Sequence, residues 1–211
     1  MTIGRVRGLV PPVFCTVVAL SVACGNDSAP VSAPAPGPAN CVKVVDESGK
    51  KTDECLPLAP DSERVDLVTP TFSKPTPITN PLHPTSEVTQ VIMGGQVDEK
   101  PFRTEVTLFP GTKPIPFKGA TVDTAIIQYV AYSDGRIHEV ALDWYAQADD
   151  GSVWYFGEDV YNFADGAIVN THGTWHAGAD GPAAMIMPAD PQVGDVYRPE
   201  NIPGLVFEEV T

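Results

Sequence analysis

Between Val122 and Trp175 apolar and polar residues alternate in runs, and three turns separate the runs: Ser133-Asp134-Gly135, Asp149-Asp150-Gly151 and Ala164-Asp165-Gly166. A period of two marks a half-buried strand, and Asp-Gly supplies the positive φ that a tight hairpin needs. The pattern predicts a four-stranded antiparallel meander. If each turn is a three-residue loop with a glycine bulge, Tyr132 pairs with Arg136, Ala148 with Ser152 and Phe163 with Ala167, and even-numbered residues share one face. That face carries Ile126, Val130, Val140, Leu142, Trp144, Trp154, Phe156, Val160 and Ile168 and is the expected core, with Trp144 opposite Phe156. The odd face mixes Tyr129, Tyr145, Tyr155 and Tyr161 with Glu139, Asp143 and Asp159. It is expected to be half-wet, lining a groove or lying beneath another segment.

Two shorter strands are predicted upstream, over Val88 to Met93 and Arg103 to Phe109. Of the 22 prolines, seventeen precede Phe117, so the first half reads as irregular or edge-like. Within it, Pro70 to Pro84 reads as an extended strap across the domain, anchored by Phe72, Ile78 and Leu82. No window has trustworthy helical periodicity. The fold class is therefore mainly β: a single antiparallel sheet over residues 70–211, open to closing into a sandwich or half-barrel. About 140 residues suffice for a real core.

The assumed register makes one chemical suggestion. One row across the sheet reads Ile126, Leu142, Glu158, His172, which sets a carboxyl beside an imidazole on the apolar face. Such a pair is either an acid–base or ligand-anchoring site or a structural ion pair at the sheet margin. His172 and His176 resemble H-x-x-x-H, but on a strand that spacing parts the rings by roughly 13 Å. Asp149-Asp150-Gly151-Ser152 lacks the spacing of a calcium loop, and a hairpin turn explains it. His83 reads as an ordinary strap residue. No phosphate-cradling loop, G-x-S-x-G elbow or H-E-x-x-H is present. No metal and no cofactor are expected, and an enzyme is the less favoured class.

The N-terminus changes the picture. Arg5 and Arg7 precede an apolar run broken by Pro11 and Pro12, too short for a good membrane span. The run ends at Leu20-Ser21-Val22-Ala23-Cys24, which resembles a bacterial lipobox. The resemblance implies a signal peptide over 1–23 and lipidation of Cys24. Gly25 stands where an inner-membrane retention signal would have Asp, which in a two-membrane bacterium directs the anchor outward. Residues 24–40 are Pro/Ala/Ser-rich and form a tether reaching roughly 50 Å. The remaining cysteines, Cys41 and Cys55, are expected to bond in this oxidising setting and close an otherwise irregular segment over 41–69. Loss of Arg5 and Arg7 takes the net charge from −14 to −16. Nucleic acid is thereby an unfavoured partner, while cations and basic polypeptides are permitted.

The runs Asp143-Trp144-Tyr145-Ala146-Gln147, Val153-Trp154-Tyr155-Phe156-Gly157-Glu158-Asp159, Gly173-Thr174-Trp175 and Met185-Ile186-Met187-Pro188 resemble a family of bacterial secreted proteins and lipoproteins without an assigned biochemical function. The resemblance spans Phe72 to the end. It implies an extracytoplasmic, mostly β domain and carries over no catalytic residues. Members tend to have an acidic residue where this chain has His172, and tend to continue beyond Thr211. The favoured function is a lipid-anchored binding or scaffolding module for a small molecule or envelope protein. The alternatives are a hydrolase or isomerase using Glu158 and His172, and a cation-binding envelope protein.

Overall fold

A computed structural model describes residues 41–45 and 50–211. The expected signal peptide, Cys24 and the tether lie outside the described residues. The described residues form twelve strands: β1 (Cys41–Val45), β2 (Lys51–Pro57), β3 (Gln90–Val97), β4 (Lys100–Phe117), β5 (Ala120–Ser133), β6 (Arg136–Gln147), β7 (Val153–Ala164), β8 (Ala167–Asn170), β9 (Trp175–His176), β10 (Ala184–Met187), β11 (Tyr197–Ile202) and β12 (Val206–Val210). Segment 41–69, expected to be irregular, begins with the β1–β2 hairpin, which the Cys41–Cys55 disulfide clamps with the Cα atoms 5.5 Å apart.

The main sheet runs β10-β7-β6-β5-β4-β3, all antiparallel, and stays open rather than closing on itself. The predicted fourth strand of the meander is divided. β8, β9 and β10 lie in succession along the outer edge of β7, at Asn162–Ala164, Gly157–Glu158 and Val153–Tyr155.

The turns explain where the register departs from expectation. Asp134-Gly135 and Asp165-Gly166 are two-residue turns with both φ positive, at 51° and 75° and at 51° and 80°. This mirror-image turn matches the strand twist better than the longer loop. Ser133 therefore pairs with Arg136. A bulge at His138 then restores parity, so that Val130 faces Val140 and Ile126 faces Trp144 rather than Leu142. The Asp149-Asp150-Gly151 loop has the assumed length, and Gln147 and Tyr145 face Val153 and Tyr155. Beyond Tyr155, Phe156 and Gly157 stand together opposite Trp144, and Asp143 faces Glu158. This second bulge exchanges the two faces of β7.

Gly157 makes the bulge possible. Its φ is +114°, and a Cβ there would overlap the Trp175 carbonyl oxygen and lie 2.9 Å from His176 Cα. Only glycine tolerates both constraints.

Both faces are buried at the end of the sheet near the 149–151 loop. Trp144, Trp154 and Phe156 fill one, and Tyr145, Tyr155 and Trp175 the other. Farther along, the odd face of β5 and β6 stays buried at Ala131 and Ala141, whereas Ile126, Val130, Val140 and Leu142 are only half-buried. The even face is thus not the main core. The strap wraps the sheet end: Phe72 stacks edge-on against Phe117 and Phe156, Ile78 is fully buried, and His83 meets Tyr145 on the other face. Leu82, expected as an anchor, is exposed. Gln147 Oε1 accepts the Thr79 and Asn80 N–H groups at 2.6 and 2.9 Å, so the β6 end holds the strap's backbone.

Gly157→Ala should lose about 3 kcal/mol or more of stability, because the side chain meets backbone that cannot yield. Gly94→Ala, which meets nothing within 4 Å, should change stability by less than about 1 kcal/mol. Denaturant unfolding of both variants compares the two.

A carboxyl and aromatic cluster as the candidate site

Two adjacent rows of the odd face build the site. The first aligns Ile127 of β5, Asp143 of β6, Glu158 of β7 and Trp175 of β9. The second aligns Ala125, Tyr145, Tyr155 and Ala184. The small alanines flank a ladder of rings. His83 lies 5.3 Å from Tyr145, Tyr145 4.7 Å from Tyr155, and Tyr155 5.2 Å from Trp175.

Asp143 is buried, and the Tyr155 hydroxyl donates to its Oδ1 at 3.1 Å. The β11–β12 hairpin contributes Glu200, whose Oε1 accepts from Trp175 Nε1 at 3.1 Å. The Glu158 carboxyl lies beside those of Asp143 and Glu200, so three acids from three strands meet. Glu158 and Glu200 are half-buried, which gives the cluster its route to solvent.

The electrostatics follow from this crowding. Burial pushes Asp143 up to about 7. The Tyr155 hydrogen bond opposes the shift, and the Glu139 and Glu200 charges add to it. Glu158 rises well above the carboxylate range, first from burial and then from the Glu200 and Asp143 charges. Burial and the neighbouring acidic charges thus both favour the protonated forms of Asp143 and Glu158. Tyr145 and Tyr155 are also pushed up by burial and by the neighbouring acids, which keeps them as phenol donors. Burial lowers His83, whose Nδ1 lies 2.8 Å from Thr85 Oγ1, and favours the neutral ring.

The structure does not bring Glu158 and His172 together. His172 is exposed in the turn after β8. Its N–H donates to Asn170 Oδ1 at 3.0 Å, and its carbonyl accepts from Asn162 at 2.9 Å. The row Ile126, Leu142, Glu158, His172 fails because the Gly157 bulge turns Glu158 to the odd face and β9 re-forms only at Trp175.

The imidazole–carboxylate pair that does form is on the even face. His176 Nε2 lies 2.9 Å from Asp159 Oδ1, and the His176 ring sits 5.2 Å from Trp144. Lys113 Nζ stands 3.1 Å from the Trp144 ring centre. Among the described residues, no three His, Cys, Asp or Glu side chains are arranged to hold a metal ion. Two surface hollows of about 380 and 350 Å³ lie around Arg136 and Phe163 and around Arg103 and Tyr132, and neither is lined by a residue of the cluster.

Sequence reasoning placed Asp143 on the odd face without a partner and missed Glu200 and Trp175. One signal was available, since a lone glycine inside a strand pattern marks a bulge. Reading Gly157 that way would have paired Asp143 with Glu158. Nothing local could have found Glu200. Comparison of the chain with protein-family models, with curated proteins and with solved structures returns no match.

The buried acids make stability depend on pH. Asp143 titrates near 7 when folded and at 3.8 when unfolded. Its proton therefore stabilises the fold fully below about pH 4, and that contribution is lost as pH rises through about 7. The slope is roughly 1.4 kcal/mol per pH unit for one proton, and Glu158 acts in the same direction. The melting temperature should fall from pH 5 to pH 8. Asp143→Asn keeps an acceptor for Tyr155 without the charge, so it should flatten the slope and melt higher than wild type at pH 8.

Proposed function

We propose that this chain is a lipid-anchored extracytoplasmic binding module that captures a cationic group, an amine of a small molecule or a basic side chain of an envelope protein, at the Asp143–Glu158–Glu200 cluster. The observation that carries this reading is the meeting of three carboxyls beside the rings of Tyr145, Tyr155 and Trp175. Carboxylates supply charge and aromatic faces supply polarisable surface, and together they suit a partly desolvated ammonium. The charges that act on Asp143 and Glu158 are themselves acidic. An incoming cation would replace bound protons, so binding and proton release are linked. The acidic balance of the mature chain favours the approach of such a ligand.

A second reading, a hydrolase or isomerase, rests on Asp143 titrating at about 7 beside a carboxyl held protonated. Two acids pushed to different values are a recurring acid–base arrangement. In that reading Glu158 acts with Asp143, and His172 takes no part.

Calorimetric titration with spermidine and with choline tests the binding reading. Affinity should rise as pH goes from 6 to 8, with proton release detected as a dependence of the heat on buffer ionisation enthalpy. Glu158→Gln should weaken binding about tenfold, equivalent to 1.4 kcal/mol. Absence of binding by either amine across this range would reject the cationic ligand.

The anchor is tested separately. Metabolic labelling with a fatty-acid analogue should mark the wild-type chain and leave Cys24→Ala unmarked. Equal labelling of both would remove the lipid from the proposal.

A further inference from the structure

β3 forms the free edge of the main sheet: it pairs with β4 on one side, and among the described residues no strand pairs with it on the other. All eight of its residues are exposed. Ile92 is 61 % exposed, Met93 48 % and Val91 38 %. The strand carries no charge and no proline, since Glu87 lies before it and Asp98, Glu99 and Lys100 follow it. Natural sheets protect an exposed edge with lysine, proline or a bulge. This edge has none of these over Gln90–Val97, and its β4 pairing runs without a break.

Its order of side chains is self-complementary. Antiparallel pairing of two copies about a two-fold axis keeps each face in register, so residues of equal parity must pair. With the axis at Met93, Gln90 lies opposite Gln96 of the second copy, Val91 opposite Gly95, Ile92 opposite Gly94, and Met93 opposite itself. Val91 and Ile92 then each lie over a bare glycine. Gly94 and Gly95 have nothing within 4 Å of where a Cβ would stand, so that space is open.

The backbone agrees. Val97 and Lys100 flank a two-residue turn and exchange their hydrogen bonds. The N–H and C=O groups of Gln90, Ile92, Gly94 and Gln96 therefore point away from β4, and in this register they meet one another in about eight new bonds. Met93 falls at a position without ladder hydrogen bonds, where opposed Cα atoms approach to roughly 4.5 Å.

From this we propose that the protein forms a two-fold symmetric dimer by antiparallel pairing of β3 with β3 of a second copy, joining the two main sheets into one. The occupant of the edge is a second copy rather than an unrelated peptide, because the bulky half, 91–93, and the bare half, 94–95, fit each other when the strand is reversed. The dimer is independent of the carboxyl cluster, which lies toward the other edge of the sheet.

The test uses the full chain, extracted in detergent from expressing cells. Sedimentation should give the mass of two chains per particle. Met93→Cys should form an intermolecular disulfide across the axis, whereas the Val91→Cys positions of two copies lie roughly 14 Å apart and beyond disulfide reach. At least fivefold more disulfide dimer is expected at position 93 than at 91. Ile92→Lys should sediment as a monomer that still unfolds cooperatively, since the side chain is exposed within one chain. A monomeric wild type, equal cross-linking at 91 and 93, or a dimeric Ile92→Lys would each overturn the proposal.

Discussion

The close approach of the Trp175 carbonyl to Gly157 organises the half of the sheet that carries the chemistry. It requires a residue without Cβ at φ +114° and so places a bulge at one position of β7. Successive acids of a strand take opposite faces, and the bulge decides which face each receives. Glu158 turns to the buried side, beside Asp143 and under Glu200. Asp159 turns to the other side, beside His176. A regular strand would exchange these partners, setting Glu158 among Leu142 and Trp144 and away from Asp143 and Glu200.

Gathering three carboxyls in one partly buried site opposes folding, and each local device in the cluster reduces that cost. Tyr155 donates to Asp143, Trp175 donates to Glu200, and burial with the neighbouring acids favours the neutral form of Glu158. A buried charge left without such partners costs several kcal/mol. The Asp159–His176 pair works under easier conditions. Its side chains are 35 % and 45 % exposed, and water screens the attraction to a value near that of ordinary surface pairs. The two acids therefore differ in consequence as well as direction. Glu158 ties stability to pH, whereas Asp159 mainly orients an imidazole.

The two edges of the sheet are finished differently. Three short strands close the β7 edge, and the strap and the Gln147 amide hold the end next to it. Among the described residues, no strand covers the β3 edge. Long chain segments from both termini converge on the β7 side: Ala59 N–H donates to Glu209, and the Arg198 N–H and Arg64 both bond Asp66. This convergence brings Glu200 over the sheet, so the site depends on contacts made far from it in the chain.

Much of the architecture was legible in the residues. Alternation between Asp-Gly turns identified the meander, the cysteine count identified the Cys41–Cys55 bond, and the prolines of 70–84 identified the strap. These signals are local: turn chemistry, a period of two and covalent pairing act within a few residues. Register was not legible to the same degree, because the difference between a two-residue and a three-residue loop is small in sequence and moves every facing pair. The bulges at His138 and Gly157 compounded this, preserving parity on one side of β6 and reversing it on the other. Glu158 was singled out from a register that set it on the even face beside His172, and the structure overturns both the face and the partner. The partners it has, Asp143 across one ladder and Glu200 from a distant hairpin, depend on a glycine's backbone angle and on long-range packing. The sequence by itself determined which segments could be strands and where the turns between them fall; only the tertiary structure decided which acids are confined, the face each took and the company it kept, because face is set by the sum of all intervening bulges and company by chain segments that meet only once the sheet is built.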